Sequence, residues 1–318
     1  MDCRGNQRSS IGPSRQLNVR PFFVSETGAI RAPWRIALFS LVSIASLIVS
    51  AVLFGPLVTS FFQFVGVRGV TNAPWVEVFG LLIATGVCIR WIDRRSWRDV
   101  WLAPSAARPS LLLLGFALGA LCIGLPILGL IAGHWLREAP SAAGSWWAAM
   151  IRTSLVLIPA ALLEELMTRG YILSVLRDWW GWKWAIAATS IAFGLLHLAN
   201  NGATIESVGL VTIAGFFLAG VLYATRSLYA AWMAHFAWNW VMAAVFHASV
   251  SGFPFEAPGY RYVDSGPDWA TGGDWGPEGG LPAALGMAAG IAVLYGSKRT
   301  RLTTQEEKHA LSSSAVND

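Results

Sequence analysis

Eight apolar runs limit what this 318-residue chain can become. They fall at about 36–60, 75–92, 111–134, 147–168, 184–203, 206–225, 228–249 and 281–296. A helix needs about 20 mostly apolar residues to cross a bilayer, and all but the last run approach or exceed that. No water satisfies backbone groups in lipid, so such runs must be helical. The expected fold is all-α, a polytopic membrane bundle of about eight transmembrane helices. Composition agrees. The chain is 55% hydrophobic and 13% charged, against about 25% charged in soluble domains, with a mean hydropathy of +0.52. Seventeen tryptophans suit the two lipid–water interfaces.

The loops carry an orientation signal. Arg4, Arg8, Arg15, Arg20, Arg31 and Arg35 precede the first run. Arg90, Arg94, Arg95, Arg98 and Arg108 follow the second, and Arg169, Arg177 and Lys183 follow the fourth. Arg226 follows the sixth, and Lys298, Arg299 and Arg301 follow the eighth. Alternate loops are poor in Lys and Arg, and the one at about 250–280 is acidic. The positive-inside bias therefore puts both termini in the cytoplasm, as a multi-pass protein of what would be a bacterial plasma membrane. A net charge of +5 spread this way serves topology, and no nucleic-acid partner is expected. Three divisions follow: a disordered basic tail over 1–35, a bundle over 36–297, and a disordered tail over 298–318.

Smaller features refine this plan. The segment 171–182 mixes apolar, charged and Trp residues and suits a short interfacial helix. The 250–280 loop, rich in Gly, Pro, Asp and Trp, is expected to be irregular with no core of its own. Gly115 and Gly119, Gly215 and Ala219, and Gly286 and Gly290 recur at four-residue spacing and would let helices approach closely. Cys3, Cys88 and Cys122 have no metal-ligand spacing.

Chemistry concentrates in three runs. The fourth carries Glu164, Glu165 and Arg169, although each ionised group at membrane depth costs roughly 2.5–3.5 kcal/mol. Adjacent helix positions point about 100° apart, so the two glutamates face different ways. Glu165 and Arg169 have the spacing and order of an ion pair, which leaves Glu164 to face a cavity. The fifth run carries Phe193 and His197 one turn apart. The seventh carries His235 and Asn239, also one turn apart and so on one face. Taken singly, each has a structural reading as an ion pair, a core histidine or polar helix packing. His247 is twelve residues past His235, roughly 18 Å along a helix; His134, beside Trp135 near the outer end of the third run, reads as interfacial, and His309 lies in the tail.

Glu164-Glu165-x-x-x-Arg169, Phe193-x-x-x-His197 and His235-x-x-x-Asn239 together resemble the three motifs of the CPBP family. These are intramembrane proteases that include CAAX prenyl endopeptidases and bacteriocin-processing or immunity proteins. The resemblance covers about 147–249, the catalytic core. It implies an intramembrane endopeptidase acting on a protein or peptide substrate in or at the membrane, near its cytoplasmic face. It implies Glu164 and His197 as the water-activating pair, His235 and Asn239 as oxyanion donors, and Glu165, Arg169 and Phe193 as supporting residues. The family is often called a metalloprotease. Glu164, His197 and His235 could hold one zinc ion, or Glu164 and His197 could activate water without metal; both stay open. The rival readings are a non-catalytic protein of the same fold, acting in bacteriocin self-immunity or as a scaffold, and a proton-coupled transporter. The second would need paired helix interruptions in two halves, and the sequence has no such symmetry.

Overall fold

The computed structural model describes residues 23–25, 28–67, 69–255 and 257–296. Both expected tails fall mostly outside them. Of the N-terminal segment, Ala32 to Arg35 are already helical, so the bundle begins earlier than expected.

The helices are α1 (Ala32–Leu53), α2 (Gly55–Phe64), α3 (Ala73–Val87), α4 (Pro109–Ala132), α5 (Trp146–Glu165), α6 (Tyr171–Leu196), α7 (Ile205–Thr225), α8 (Leu228–Trp240), α9 (Asp268–Thr271) and α10 (Leu281–Gly296). Among the described residues, five helical runs are long and apolar enough to cross a membrane. One of them, Trp146–Ala199, is 54 residues long and holds two spans. It is broken at Gly170 (ψ −119°) and at Gly181 (φ 77°, ψ 172°). A helix lies at each of the eight expected positions, and the chain is an all-α integral membrane protein.

α1 shows the inverted pattern of a lipid-facing helix. Leu41, Ile44, Ile48 and Val52 form an exposed stripe, while Ser43, Ser46 and Ser50 are buried. In lipid there is no hydrophobic gain from burying Leu, so small residues turn inward where backbones pack. The same rule explains the tightest interface, α4 against α8. A Cβ on Gly115 would lie 2.1 Å from the Ala230 carbonyl oxygen, and one on Gly119 would lie 2.0 Å from that of Ala234. Only glycine permits this approach, and it fixes the helix that carries His235. Gly286 of α10 meets the Cys122 carbonyl of α4 in the same way, at 2.0 Å.

Ion pairs tie one end of the bundle. Arg35 of α1 donates to Asp93 at 2.5 Å, Arg95 pairs with Asp178, and Arg177 donates to Asp178 at 2.7 Å. The start of α1, the loop after α3 and the 171–180 helix therefore share that end, as the loop charges require. At the other end, β1 (Leu136–Pro140) pairs antiparallel with β2 (Tyr260–Asp264), Leu136 opposite Asp264.

Two expectations need correction. The 171–180 segment is a separate short helix, but Tyr171, Leu173, Ser174, Val175 and Leu176 are buried. Tyr171 stacks on Phe39 at 4.8 Å, so the segment packs into the bundle and only its Trp179–Trp180 end is exposed. The 250–280 loop is not irregular throughout. It supplies β2, α9 and two 3-10 turns, and buries Trp275 and Glu278. Glu278 accepts from Trp238 Nε1 (2.9 Å), the Ser251 amide (2.7 Å) and Ser251 Oγ (2.6 Å).

Candidate active site

The three motifs converge. Glu164 and Glu165 close α5, and a π-helical turn, Leu166–Gly170, follows them. A second π turn, Val241–Val245, follows Asn239. Such turns break regular spacing and are frequent at functional sites.

Glu165 and Arg169 are fully buried, with Glu165 Oε1 2.8 Å from Arg169 Nη1. Arg169 also donates to the Gly215 carbonyl at 3.1 Å and lies 4.2 Å over the Phe193 ring. The Phe193 ring is 4.9 Å from the His197 ring and 5.8 Å from the His235 ring. It thus packs Arg169 and both histidines at once.

The tautomers follow from the partners. His197 Nδ1 lies 2.8 Å from the Phe193 carbonyl oxygen. A carbonyl only accepts, so Nδ1 carries the proton and the neutral ring presents a lone pair at Nε2. His235 Nδ1 donates to Glu165 Oε1 at 3.0 Å, which turns its Nε2 the other way.

Both Nε2 atoms face Glu164. Its Oε2 lies 3.8 Å from His197 and 3.7 Å from His235. These gaps are too long for direct hydrogen bonds, but a water about 2.8 Å from each partner fits them. The Glu164 side chain is 35% exposed, whereas both histidines are largely buried. Glu164 is the most exposed side chain of the cluster, although its Oε2 is buried. Glu164 Oε2 itself has no hydrogen-bond partner.

Asn239 lies one turn beyond His235. With His235, Phe193, Ser251 and Glu278 it lines a cavity of about 20 Å³, room for one water. Trp275 closes the site from the 250–280 loop, its ring 6.4 Å from that of His197. No periodic signal marks Ser251, Trp275 or Glu278, since all three lie in the long loop. His247 stays apart, stacked on Tyr260 at 4.1 Å.

A zinc site would need three such ligands about 2.0–2.2 Å from one point. Among the described residues, no group of three or more His, Cys, Asp or Glu side chains is arranged to hold a metal ion. As placed, the Glu164, His197 and His235 side chains do not make such a group.

Residues 142–241 match the family model described as type II CAAX prenyl endopeptidase Rce1-like. Over that stretch the chain is similar to the Rce1-like family. The matched stretch holds all three motifs and every residue of the cluster from Glu164 to Asn239. It agrees with the CPBP resemblance read from those motifs. No curated protein matches the chain. The family is one of proteases, and its substrates are peptides or proteins at the membrane.

Proposed function

We propose that this chain is an intramembrane endopeptidase that hydrolyses a peptide bond near the cytoplasmic membrane face, with both termini in the cytoplasm. The observation that carries this reading is the convergence of two imidazole Nε2 atoms, 3.7 and 3.8 Å away, on one buried carboxylate oxygen that has no hydrogen-bond partner.

A water between Glu164 and His197 meets a carboxylate oxygen and an Nε2 lone pair. Glu164 takes its proton as the scissile carbonyl is attacked, and His197 orients the lone pair of the attacking oxygen. The oxyanion that forms needs donors already in place. In its imidazolium form His235 donates Nδ1–H to Glu165 and Nε2–H toward the reacting centre. Asn239, on the same face, supplies an amide N–H. Glu164 then returns its proton to the leaving amine. Glu165, Arg169 and Phe193 touch no substrate in this scheme; they hold the two imidazoles in position. The orientation rests on the positive loops that share the Arg35–Asp93 end.

The experiment is substrate trapping in native membranes. Partners held by the Glu164→Ala variant are identified by mass spectrometry and offered to the wild-type protein. Trapped peptides that the wild type cuts support the reading. Trapped partners that it never cuts would recast the chain as a binding protein of protease fold.

A further inference from the structure

Glu77 is an acid that the proposed mechanism leaves unused. It sits in α3, half-buried. No hydrogen bond or ion pair reaches it among the described residues. An ionisable group inside a membrane span is costly unless it has a partner or a task.

Its surroundings suggest the task. Glu77 lines a cavity of about 530 Å³ between α1, α3, α5 and α6. The walls are mostly apolar: Phe39, Ile44, Leu47, Leu81, Met167 and Ile172 among them. Two further wall residues, Leu163 and Leu196, immediately precede Glu164 and His197. The cavity therefore borders the cluster, and Glu77 is the one acidic or basic side chain in its lining.

The register can be worked out. Trp75 Nε1 donates to the Leu155 carbonyl at 2.8 Å, which levels α3 with α5. α3 also packs against the π turn after Glu165, so the two helices run side by side in the same direction. Glu77 is then level with Leu157, seven residues from Glu164, or about 10 Å along the axis. An extended peptide covers that in about three residues.

We propose that Glu77 and this cavity form a specificity subsite for an apolar peptide segment carrying one Lys or Arg. The cation pairs with the Glu77 carboxylate about three residues from the scissile bond, toward the β1–β2 end of the bundle. This rests on the protease reading for the position of the scissile bond, while the pairing itself is a matter of binding.

The test uses the full chain in lipid nanodiscs. The probes are fluorescent Leu/Ala peptides with a single Lys moved one residue at a time, and matched peptides with norleucine or Glu in its place. Binding is read on the Glu164→Gln background and cleavage on the wild type. A Lys-over-norleucine preference should appear at one or two adjacent registers. It should fall about tenfold in Glu77→Gln, equivalent to ~1.4 kcal/mol, and shift to the Glu peptide in Glu77→Lys. No Lys preference, or one that residue 77 does not alter, would overturn the subsite. Displacement of the Lys peptide by a neutral single-chain lipid, equal in every residue-77 variant, would assign the cavity to lipid and overturn it as well. The two claims separate cleanly. Preference that follows residue 77 without any cleavage keeps the subsite and sinks the protease reading. Cleavage indifferent to residue 77 does the reverse.

Discussion

Glu165 Oε1 reaches His235 Nδ1 at 3.0 Å across the α5–α8 interface while it also binds Arg169 at 2.8 Å. One buried carboxylate thus fixes the tautomer of an imidazole on another helix and neutralises a buried guanidinium. Removing either charged partner leaves the other stranded at zero exposure. Arg169→Ala and Glu165→Ala should each destabilise the protein by about 3–5 kcal/mol, read as a fall in melting temperature and in membrane yield. A wild-type melting curve for Arg169→Ala would show that the pair is not holding the fold.

The α4–α8 contact makes a second prediction. Gly119→Val places a side chain where a Cβ already lies 2.0 Å from the Ala234 carbonyl. α8 must move, and His235 with it. Both thermal stability and turnover should fall. Gly129→Ala, where the added Cβ meets nothing within 4 Å, should change neither.

Glu278 anchors the 250–280 loop to α8. Glu278→Ala leaves Trp238 Nε1 and two Ser251 donors without their acceptor. An unmet buried donor costs about 1–3 kcal/mol. Limited proteolysis should then cut within 257–275 faster than in the wild type, before global unfolding. Unchanged cleavage there would mean that the β1–β2 pairing alone holds the loop.

Topology is tested with cysteines in a variant lacking the native three. Those placed in the 257–274 loop should react with an impermeant thiol reagent added to intact cells. Those at 5–20 should react only after lysis. Reaction of the tail from outside would invert the orientation and move the site to the opposite face.

The helices were legible because lipid forces apolar runs into one conformation, and the parity of the positive loops checked their number. The Glu165–Arg169 pair was legible because four-residue spacing decides which side chains meet. The three motifs were legible as a set through resemblance. The rest lacked local signal. The β1–β2 sheet joins strands more than 100 residues apart, and neither five-residue strand alternates cleanly. Glu278 acquires its role only when the chain folds back onto Trp238. The 171–180 helix misleads because its apolar residues pack on Phe39 and the α1 end instead of lipid. Phe193 contacts Arg169 and both histidines only once three helices are in place, so its spacing from His197 shows one of these contacts and not the others.

The chemistry of the histidines can be separated from their packing. His197→Ala should lower the turnover rate, since it removes the group that orients the water. Asn239→Ala should cost about 3 kcal/mol of barrier, as for a lost oxyanion donor. Metal content of the purified protein should be negligible and unchanged in both variants. About one zinc per chain, lost in His235→Ala together with activity, would replace the water-only scheme with a metal one.

Glu164 acts as the base in the proposed reaction. Glu164→Gln keeps the shape of the side chain but cannot take a proton from water. In reconstituted membranes, cleavage of a trapped substrate should fall to background, while melting temperature and membrane insertion match the wild type. Full cleavage by a folded, inserted Glu164→Gln protein would contradict the account.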